Sequence, residues 1–548
     1  MAESGSNDDS NAIDNCAGEN SGEKSGEKSG EKSPQDSVQA YDAPDLNLVA
    51  SEPYSSFTVT ERRLIIVTAS IVAFFSPTSG SIYFPALNDI AKDLGVSESL
   101  VNLTVTTYLI LQGLAPTFVG TFSDDAGRRP AYMICFIVFM TANIALALQN
   151  NYAALLVLRC LQSAGSSGTI ALSYAVAADI VTSAERGSYV AYSTIGPMVG
   201  PTLGPVIGGL LSQYLGWHSV FWFLFITAAI VAVPLLFFFP ETNRKLVGNG
   251  SIPPPALNVS LYAWWKQRRL RRKGDDQDEQ QHYQPPARKM RFPNPLKTLM
   301  VLRNKEASIL LIANGLLMAC YYGVASFLPS VAHAAYGFNT IQVSLLYIPV
   351  GAAGIICAAT NGRILDWNYR RHARQLGVPL AKNRHQNTRD FPLEAVRLEV
   401  AIPAFCMGSI SVIALGWVLD QEVHVAATIV ILFILGYCIS AGANCINILT
   451  VDLFPKKPAT ATAANNLVRC SLGAVASAVV VPMHQAMGIG WTSTVLGVIW
   501  FACVPALLIV KTWGGSWRRK ELDREAKRNG EKEEQKRQAD VEGRNKVS

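Results

Sequence analysis

Charged residues are scarce in this sequence. Asp, Glu, Lys and Arg account for 16% of its 548 residues, whereas soluble proteins carry about 25%. Charged residues are missing mainly from long apolar runs, each close to the ~20 residues that a helix needs to cross ~30 Å of hydrocarbon. This composition excludes a soluble globular protein and predicts an all-α integral membrane protein.

The sequence also lacks the side-chain patterns of an enzyme or a metalloprotein. None of its ten cysteines sits in a CxxC or a Cys/His spacing, and nine fall in apolar runs, where we expect small core residues. The seven histidines are scattered, without an HExxH or a Ser/His/Asp arrangement. We therefore expect no enzyme activity, no metal and no other cofactor. Basic patches interleaved with aromatics are missing too, which argues against a nucleic-acid partner.

Twelve apolar segments predict twelve transmembrane helices, in two groups of six separated by a polar loop. The predicted spans are 64–86, 99–120, 131–149, 153–180, 189–212, 218–239, 307–330, 340–361, 398–418, 424–450, 460–483 and 490–511. Ser-Gly-Glu-Lys repeats near the N-terminus bury too little apolar surface to fold. The predicted domains are a disordered tail (1–60), an N-terminal half (61–240), a central loop (241–305), a C-terminal half (306–511) and a basic tail (512–548).

The charge of the loops tests this span count independently. Lys and Arg occupy every gap that follows an even-numbered span, whereas the gaps after odd-numbered spans hold only Lys92. Positively charged short loops remain in the cytoplasm. We therefore expect both termini and the central loop to be cytoplasmic. The alternation also supports twelve spans, because a wrong span count would break it.

One short pattern occurs in both groups of six spans. Gly120 and Asp124 stand four residues apart after span 2, and Gly362 and Asp366 do so after span 8. Two arginines follow each pair, Arg128 and Arg129 in one case and Arg370 and Arg371 in the other. Two parallel six-span halves are a repeat pattern of secondary transporters, so the sequence predicts two pseudo-symmetric halves.

These features resemble the major facilitator superfamily. Its loop pattern G-x-L-a-D-r-x-G-r-k is matched here by Gly120, Asp124, Gly127, Arg128 and Arg129. The resemblance implies the major facilitator fold and a gating role for this motif and for its echo at Gly362 and Asp366. We expect Asp124 to end a helix and face the positive N-terminus of a helix in the other half, and the two arginines to anchor at the lipid surface.

A second match lies in span 4. Arg159 and Gln162 resemble the R-x-x-Q-G pattern of the family, with Ser163 in place of the glycine. The family associates this arginine with proton transfer, and a depth of about 10 Å follows from 1.5 Å per helical residue. The alternative is an arginine that snorkels to the interface. Asp179 on the same span is a further candidate for proton coupling.

The third match is an antiporter motif, G-x-x-x-G-P-x-x-G-G, in span 5. It comprises Gly200, Gly204, Pro205, Gly208 and Gly209, and the resemblance associates it with exporters. Glycines let a neighbouring helix approach closely and proline bends the helix; an ordinary small-residue packing face is the alternative. With smaller echoes along the chain, the sequence looks like the fungal twelve-span drug:proton antiporters, in the branch that holds quinidine-resistance transporters and citrate exporters.

Charge within the spans bears on the substrate. Arg469 lies about 13 Å deep in span 11 at 1.5 Å per residue, and no Asp or Glu lies comparably deep. An arginine near the midplane normally faces a cavity or a partner, so an anion or a neutral compound suits the spans better than a cation. The candidate substrate-binding residues are Arg469, Asn466, Gln112, Tyr108, Tyr322 and Asn444.

We therefore expect a secondary transporter that exports small organic molecules, such as drugs, toxic or secondary metabolites and weak organic acids. Proton antiport by alternating access is implied by the resemblance, although no deep carboxylate is present to carry the proton. A dedicated, citrate-like organic-acid exporter and a transporter-like membrane sensor are the alternatives. The expected partners are the substrate, protons and the lipid bilayer. The expected protein is a monomer in the plasma membrane, since no retention signal is evident.

Overall fold

The computed structural model describes residues 55–181, 186–255, 258–272, 300–377, 391–454 and 458–545. Across these ranges the regular structure is helical and no strand forms. Most of the N-terminal segment predicted to be disordered, up to residue 54, lies outside the described residues, as does 273–299 of the central loop. The last residues of that segment begin the first helix, at Val59.

The N-terminal half consists of six long helices and a short one. In chain order they are α1 (Val59–Ser81), the short α2 (Leu87–Leu94), α3 (Glu98–Ala126), α4 (Arg128–Leu148), α5 (Tyr152–Ile180), α6 (Arg186–Leu215) and α7 (His218–Phe238). Side-chain oxygens of Ser97 and Asn151 accept hydrogen bonds from the first turns of α3 and α5, which satisfies N–H groups that a helix cannot pair itself. The central loop contributes α8 (Arg244–Val247) and α9 (Leu261–Arg272).

The C-terminal half repeats this arrangement. Its helices are α10 (Lys305–Tyr336), the short α11 (Thr340–Leu345), α12 (Tyr347–Gln375), α13 (Leu393–Asp420), α14 (Val425–Leu453), α15 (Pro458–Met487), α16 (Ile489–Phe501) and α17 (Cys503–Asn545). The last two follow one another as the twelfth span. Helix α17 continues well beyond the predicted span end at residue 511.

The predicted fold class is confirmed. Eleven helical stretches in the described parts of the chain are long and apolar enough to cross a membrane, and α6, 30 residues long with three internal prolines, is the twelfth long helix. Large apolar side chains such as Ile137, Val157 and Ile230 are more than half exposed, as expected for surfaces that face lipid. The nine cysteines in the described ranges are free thiols.

Helix packing shows the pseudo-symmetry directly. Within the N-terminal half, α1 packs on α6, α3 on α5, and α4 on both α5 and α7. The corresponding C-terminal pairs also pack, namely α10 on α15, α12 on α14, and α13 on both α14 and α16. The halves meet where α3 packs on α15 and where α6 packs on α11 and α12.

The repeated Gly/Asp motif is less symmetric than its sequence. In the N-terminal half, α3 ends at Ala126, two residues after Asp124. Helix α12 continues to Gln375, beyond the predicted end of the eighth span at residue 361. Gly362 and Asp366 therefore lie within a helix, both exposed, and neither marks a turn.

Candidate functional site

Arg469 lies on α15 between the two halves. It is half-buried, and its Nε and Nη2 donate hydrogen bonds to Oδ1 of Asn466 at 3.1 and 2.9 Å. The Asn466 amide donates across the interface to the backbone carbonyl of Gln112 on α3, at 3.1 Å. Tyr174 of the N-terminal half and Tyr322 of the C-terminal half are close enough to interact electrostatically with the guanidinium. Among the described residues no carboxylate pairs with it.

The structure brings some of the predicted substrate-binding residues together. Gln112, Asn466 and Tyr322 gather around Arg469, and Oε1 of Gln112 is buried without a hydrogen-bond donor in the described part of the chain. Tyr108 belongs instead to the surroundings of Arg159. Asn444 is half-buried on α14 and takes no part in the hydrogen bonds of either cluster among the described residues.

Sequence reasoning missed a chain of three asparagines beside this site. Asn314 of α10 donates to Asn465 of α15 at 2.8 Å, and Asn465 donates to Asn447 of α14. A buried amide in a membrane span is rare unless it is paired or functional. The available signal was the position of Asn465, which directly precedes Asn466 in span 11.

Arg159 occupies a different environment. Its side chain is fully buried, and its Cζ lies 4.1 Å from the ring centroid of Tyr83 and 4.3 Å from that of Tyr108. Its Nη1 donates to the Ser79 carbonyl at 3.2 Å and to Oε1 of Gln162. The alternative of a snorkelling arginine is therefore wrong. Two tyrosine faces hold this charge by cation–π attraction.

The three proton-coupling candidates do not form one cluster. Arg159 and Gln162 are hydrogen bonded, and Gln162 donates onward to Asn143 at 2.8 Å. Asp179 lies near the far end of α5, roughly 30 Å from Arg159 at 1.5 Å per residue. It belongs to a charge network at the end of the bundle that carries Arg128, hereafter the basic end.

The predicted lipid anchors Arg128 and Arg129 are buried, with exposures of 7% and 5%. The prediction of lipid anchoring is therefore wrong. Arg128 donates through Nε to Asp179 at 2.8 Å and through Nη1 to Asp124 at 2.6 Å, and Arg129 donates to the Leu236 carbonyl at 2.7 Å. A buried guanidinium is tolerated when carboxylates surround it. Asp124 thus pairs with an arginine of its own half.

Glu241, which is not among the site residues predicted from the sequence, completes the network. Its carboxylate accepts the backbone N–H groups of Arg128 and Arg129 at 2.8 and 3.2 Å and the amide of Asn258 at 2.7 Å. It thereby supplies acceptors and a negative charge at the N-terminus of α4. Gly127, at φ 112°, must be glycine here, because a Cβ would lie 2.1 Å from Asn258 and 2.4 Å from Glu241.

The C-terminal half has its own ion pair at the basic end. Arg397 near the start of α13 lies 3.3 Å from Asp452 at the end of α14, as Arg128 at the start of α4 pairs with Asp179 at the end of α5. Asp366, the sequence counterpart of Asp124, instead lines an open groove with Arg363 and other residues of α12.

The antiporter motif forms a seam against α1. A Cβ added at Gly200, Gly204 or Gly208 would lie 2.7 Å from Oγ1 of Thr78, 2.2 Å from Oγ of Ser81 and 2.0 Å from the Ile82 carbonyl oxygen, respectively. Close helix approach at these positions is therefore confirmed. Pro205 lies in the same helix. Gly196, absent from the predicted motif, continues the four-residue spacing, with a Cβ 2.0 Å from the Ser70 carbonyl oxygen.

Gly209 faces the other half of the molecule. A Cβ there would lie 2.4 Å from Cβ of Ser344 on α11, and one at Gly351 would lie 2.3 Å from Thr202. Further inter-half contacts lie nearby, at the end of the bundle opposite the basic end. The Phe84 and Tyr347 rings stack with centroids 6.3 Å apart.

Hydrogen bonds join the halves at this same opposite end. The Asp89 carboxylate accepts from Ser212 of its own half at 2.8 Å and from Thr340 of the other half at 3.1 Å. The Thr340 backbone N–H donates to Gln213 at 3.1 Å. The opposite end is therefore closed by glycine contacts, an aromatic pair and a shared carboxylate.

Comparison with known proteins decides the family. The sequence model of the Major Facilitator Superfamily matches residues 69–478. The chain belongs to the Major Facilitator Superfamily. Its members are transporters rather than enzymes, so this chain is a multi-pass membrane transporter of that superfamily.

Curated superfamily members from fungi align over most of the chain. MFS-type transporter phiD of Fungal sp. (strain ATCC 74256) is 46% identical over 86% of this chain and 71% of its own length. MFS-type transporter tstD of Talaromyces stipitatus is 44% identical over 89% and 88%, and Citrate exporter 1 of Aspergillus niger is 34% identical over 87% and 91%. The predicted resemblance to the fungal branch that holds citrate exporters is thus confirmed.

Solved structures of the superfamily share the fold at low sequence identity. A D-xylose–proton symporter superposes with a TM-score of 0.57 at 16% identity, covering 82% of this chain and 96% of the symporter. The human organic anion transporter MFSD10 does so with a TM-score of 0.50 at 17% identity, covering 82% and 100%. Both likenesses concern the fold alone.

Proposed function

We propose that the protein exports small organic anions, weak organic acids and acidic secondary metabolites among them, by alternating access. The carrying observation is Arg469, a half-buried arginine between the two halves that has no carboxylate partner among the described residues. An arginine near the bilayer midplane costs about 2.5–3.5 kcal/mol on insertion scales. A substrate carboxylate would supply the counter-charge that the chain itself leaves out.

The groups around Arg469 fit an anion with polar substituents. Its hydrogen bonds to Asn466 use Nε and Nη2, and the guanidinium is a planar fork that matches a carboxylate. Tyr174 and Tyr322 are phenol donors from opposite halves. A substrate held by both would be released when the halves separate, as alternating access requires.

Direction and coupling are further parts of the proposal. The antiporter motif on α6 supports export, and the Lys and Arg residues in the loops after even-numbered spans support a cytoplasmic position for the basic end. Protons moving inward across the plasma membrane would drive the exchange. A dedicated exporter of citrate-like acids is the second candidate, favoured by the 34% identity to Citrate exporter 1. Counterflow with citrate and with a monocarboxylate distinguishes the two.

The test is transport in proteoliposomes with one acidic and one cationic probe. Arg469→Ala should lose most transport of the acid at normal abundance, and Arg469→Lys should recover part of it, because an ammonium lacks the planar fork. Arg519→Ala, which changes an exposed arginine of α17, is the matched control. Full transport of the acid by a normally expressed Arg469→Ala protein would refute the site.

A further inference from the structure

Two buried carboxyl groups meet at the basic end of the C-terminal half. Glu306 lies in the first turn of α10 and Glu394 in the first turn of α13, and they are 2% and 1% exposed. The two side chains are within hydrogen-bonding reach of each other. Gly514 of α17 packs against both, since a Cβ there would lie 2.9 Å from Cγ of Glu394 and 3.1 Å from Oε1 of Glu306.

The cation beside this pair is directed to one member. Arg518 of α17 donates through Nε and Nη2 to the two oxygens of Glu394, at 2.6 and 3.3 Å, and also to the Phe391 carbonyl at 2.6 Å. In contrast, Oε1 of Glu306 is buried and accepts no hydrogen bond from the described residues. A hydrogen bond between two carboxyl groups requires that one of them keep its proton.

The charges that surround the pair do not supply a second counter-ion within the described ranges. Arg397 on α13 lies 3.3 Å from Asp452 on α14, and Lys511 on α17 lies 3.2 Å from Glu399. Arg303 and Lys305, next to Glu306 in sequence, are exposed. If every group were ionised, the cluster would carry three carboxylates (Glu306, Glu394 and Asp452) and two guanidinium groups (Arg397 and Arg518). Both glutamates are buried, whereas the Asp452 side chain is 30% exposed.

The positions of both carboxyls at helix N-termini favour their ionised forms only weakly. Burial of an uncompensated second charge is much more costly, and two carboxyl groups that share a site normally share one proton. The cost of burying a second negative charge therefore exceeds the stabilisation that the two helix N-termini give to the ionised carboxyls.

We propose that Glu306 and Glu394 form a proton-binding site, with one proton shared between them. The proton ties the start of α10 to the start of α13, and Arg518 ties Glu394 of α13 to α17. Loss of the proton would place two like charges in contact and loosen the three helices. This site is separate from Arg469, so the proposal does not depend on which molecule the protein transports.

Linkage gives the sign of the stability effect. An unfolded glutamate releases its proton at about pH 4.3, whereas the folded pair retains one at neutral pH. The folded state then binds more protons than the unfolded state, so stability falls as the pH rises from about 5 towards 9. Glu306→Gln keeps the shape and supplies an amide donor to Glu394 without a titrating proton.

The experiment uses the full-length protein in detergent. Infrared spectra at neutral pH should show a protonated-carboxyl band that Glu306→Gln removes and Glu399→Gln keeps, because Glu399 has its own partners His372 and Lys511 at 2.9 and 3.2 Å. Thermal melts should show that the decline in melting temperature with rising pH is lost in Glu306→Gln and kept in Glu399→Gln.

Either an unchanged band or an unchanged pH profile in a folded Glu306→Gln protein overturns the proposal. If that variant does not accumulate, Glu394→Gln is interpreted in the same way. If neither variant accumulates, the wild-type spectrum decides, since the absence of protonated-carboxyl absorption at neutral pH refutes the site.

Discussion

The carboxylate of Asp89 in the N-terminal half accepts a hydrogen bond of 3.1 Å from the hydroxyl of Thr340 in the C-terminal half. The same carboxylate also accepts from Ser212. It thus holds one end of the interface closed by a contact that must break whenever this end opens.

Thr340→Val removes the hydroxyl at nearly constant shape and should favour opening at this end. A hydrogen bond to a charged group is worth about 1.5–3 kcal/mol, which corresponds to a shift of about tenfold to a hundredfold in the ratio of closed to open states. The measurement is thiol labelling of Ser344→Cys, a position buried against Gly209. Thr340→Ser is the control, and equal labelling rates in the Val and Ser backgrounds would contradict the assignment.

Substitutions at different glycines should differ in their effects, according to how closely α1 approaches α6 at each position. Gly208→Ala places a methyl group 2.0 Å from a backbone oxygen, so it must separate α6 from α1, at a cost of about 1–3 kcal/mol. Gly530→Ala, on the tail part of α17, meets nothing within 4 Å and should leave transport intact. Gly204→Ala should be milder than Gly208→Ala, because the Ser81 hydroxyl can rotate away, whereas Gly204→Leu should abolish transport.

Transport and melting temperature of purified variants check this order. Equal transport by Gly208→Ala and Gly530→Ala would show that close approach of α6 to α1 is not required for the transport cycle.

Glu241→Ala should destabilise the protein by at least about 3 kcal/mol, because it leaves several buried N–H donors without an acceptor. The carboxylate accepts from the backbone of Arg128, Arg129, Thr242 and Asn243. Glu241→Gln should cost less, since an amide oxygen still accepts. Glu521→Ala, whose partner Arg524 lies 3.7 Å away at the surface, should stay within about 0.5 kcal/mol. Thermal melts check this difference. An equal loss of melting temperature in Glu521→Ala and Glu241→Ala would contradict the role of Glu241 as an acceptor at the N-terminus of α4.

The apolar runs and the loop charges predicted the fold well. Each membrane span must satisfy its backbone hydrogen bonds internally, so a long apolar run has to form a helix. Helix ends were harder to predict. Nothing in the apolarity of α12 shows that it continues to Gln375, since that extension depends on packing rather than on hydropathy. Pairing partners across helices, such as Glu306 with Glu394, are separated widely in sequence and appear only when the helices assemble.

The motifs located the functional neighbourhoods but misassigned some side chains. Arg128 and Arg129 looked like surface anchors because arginines that follow a span normally reach lipid headgroups. Their burial depends on Asp179 of α5 and on Glu241 in the segment that follows α7, both distant in sequence. Arg469 could be predicted as a site residue from its depth in span 11 alone. The packing of Tyr83 and Tyr108 against Arg159 could not be predicted, because these rings come from other segments of the chain.

The ion pairs Arg128–Asp179 and Arg397–Asp452 stand at matching places in the two halves, with sequence separations of 51 and 55 residues. A feature shared by both copies of a duplicated unit is most simply inherited from the single ancestor. On that basis the bond between the third and fourth helices of a half is older than the twelve-helix chain. Glu241 follows the sixth long helix and Arg518 lies on α17 in the twelfth, and their charges are opposite, so the symmetry does not extend to the ends of the two halves.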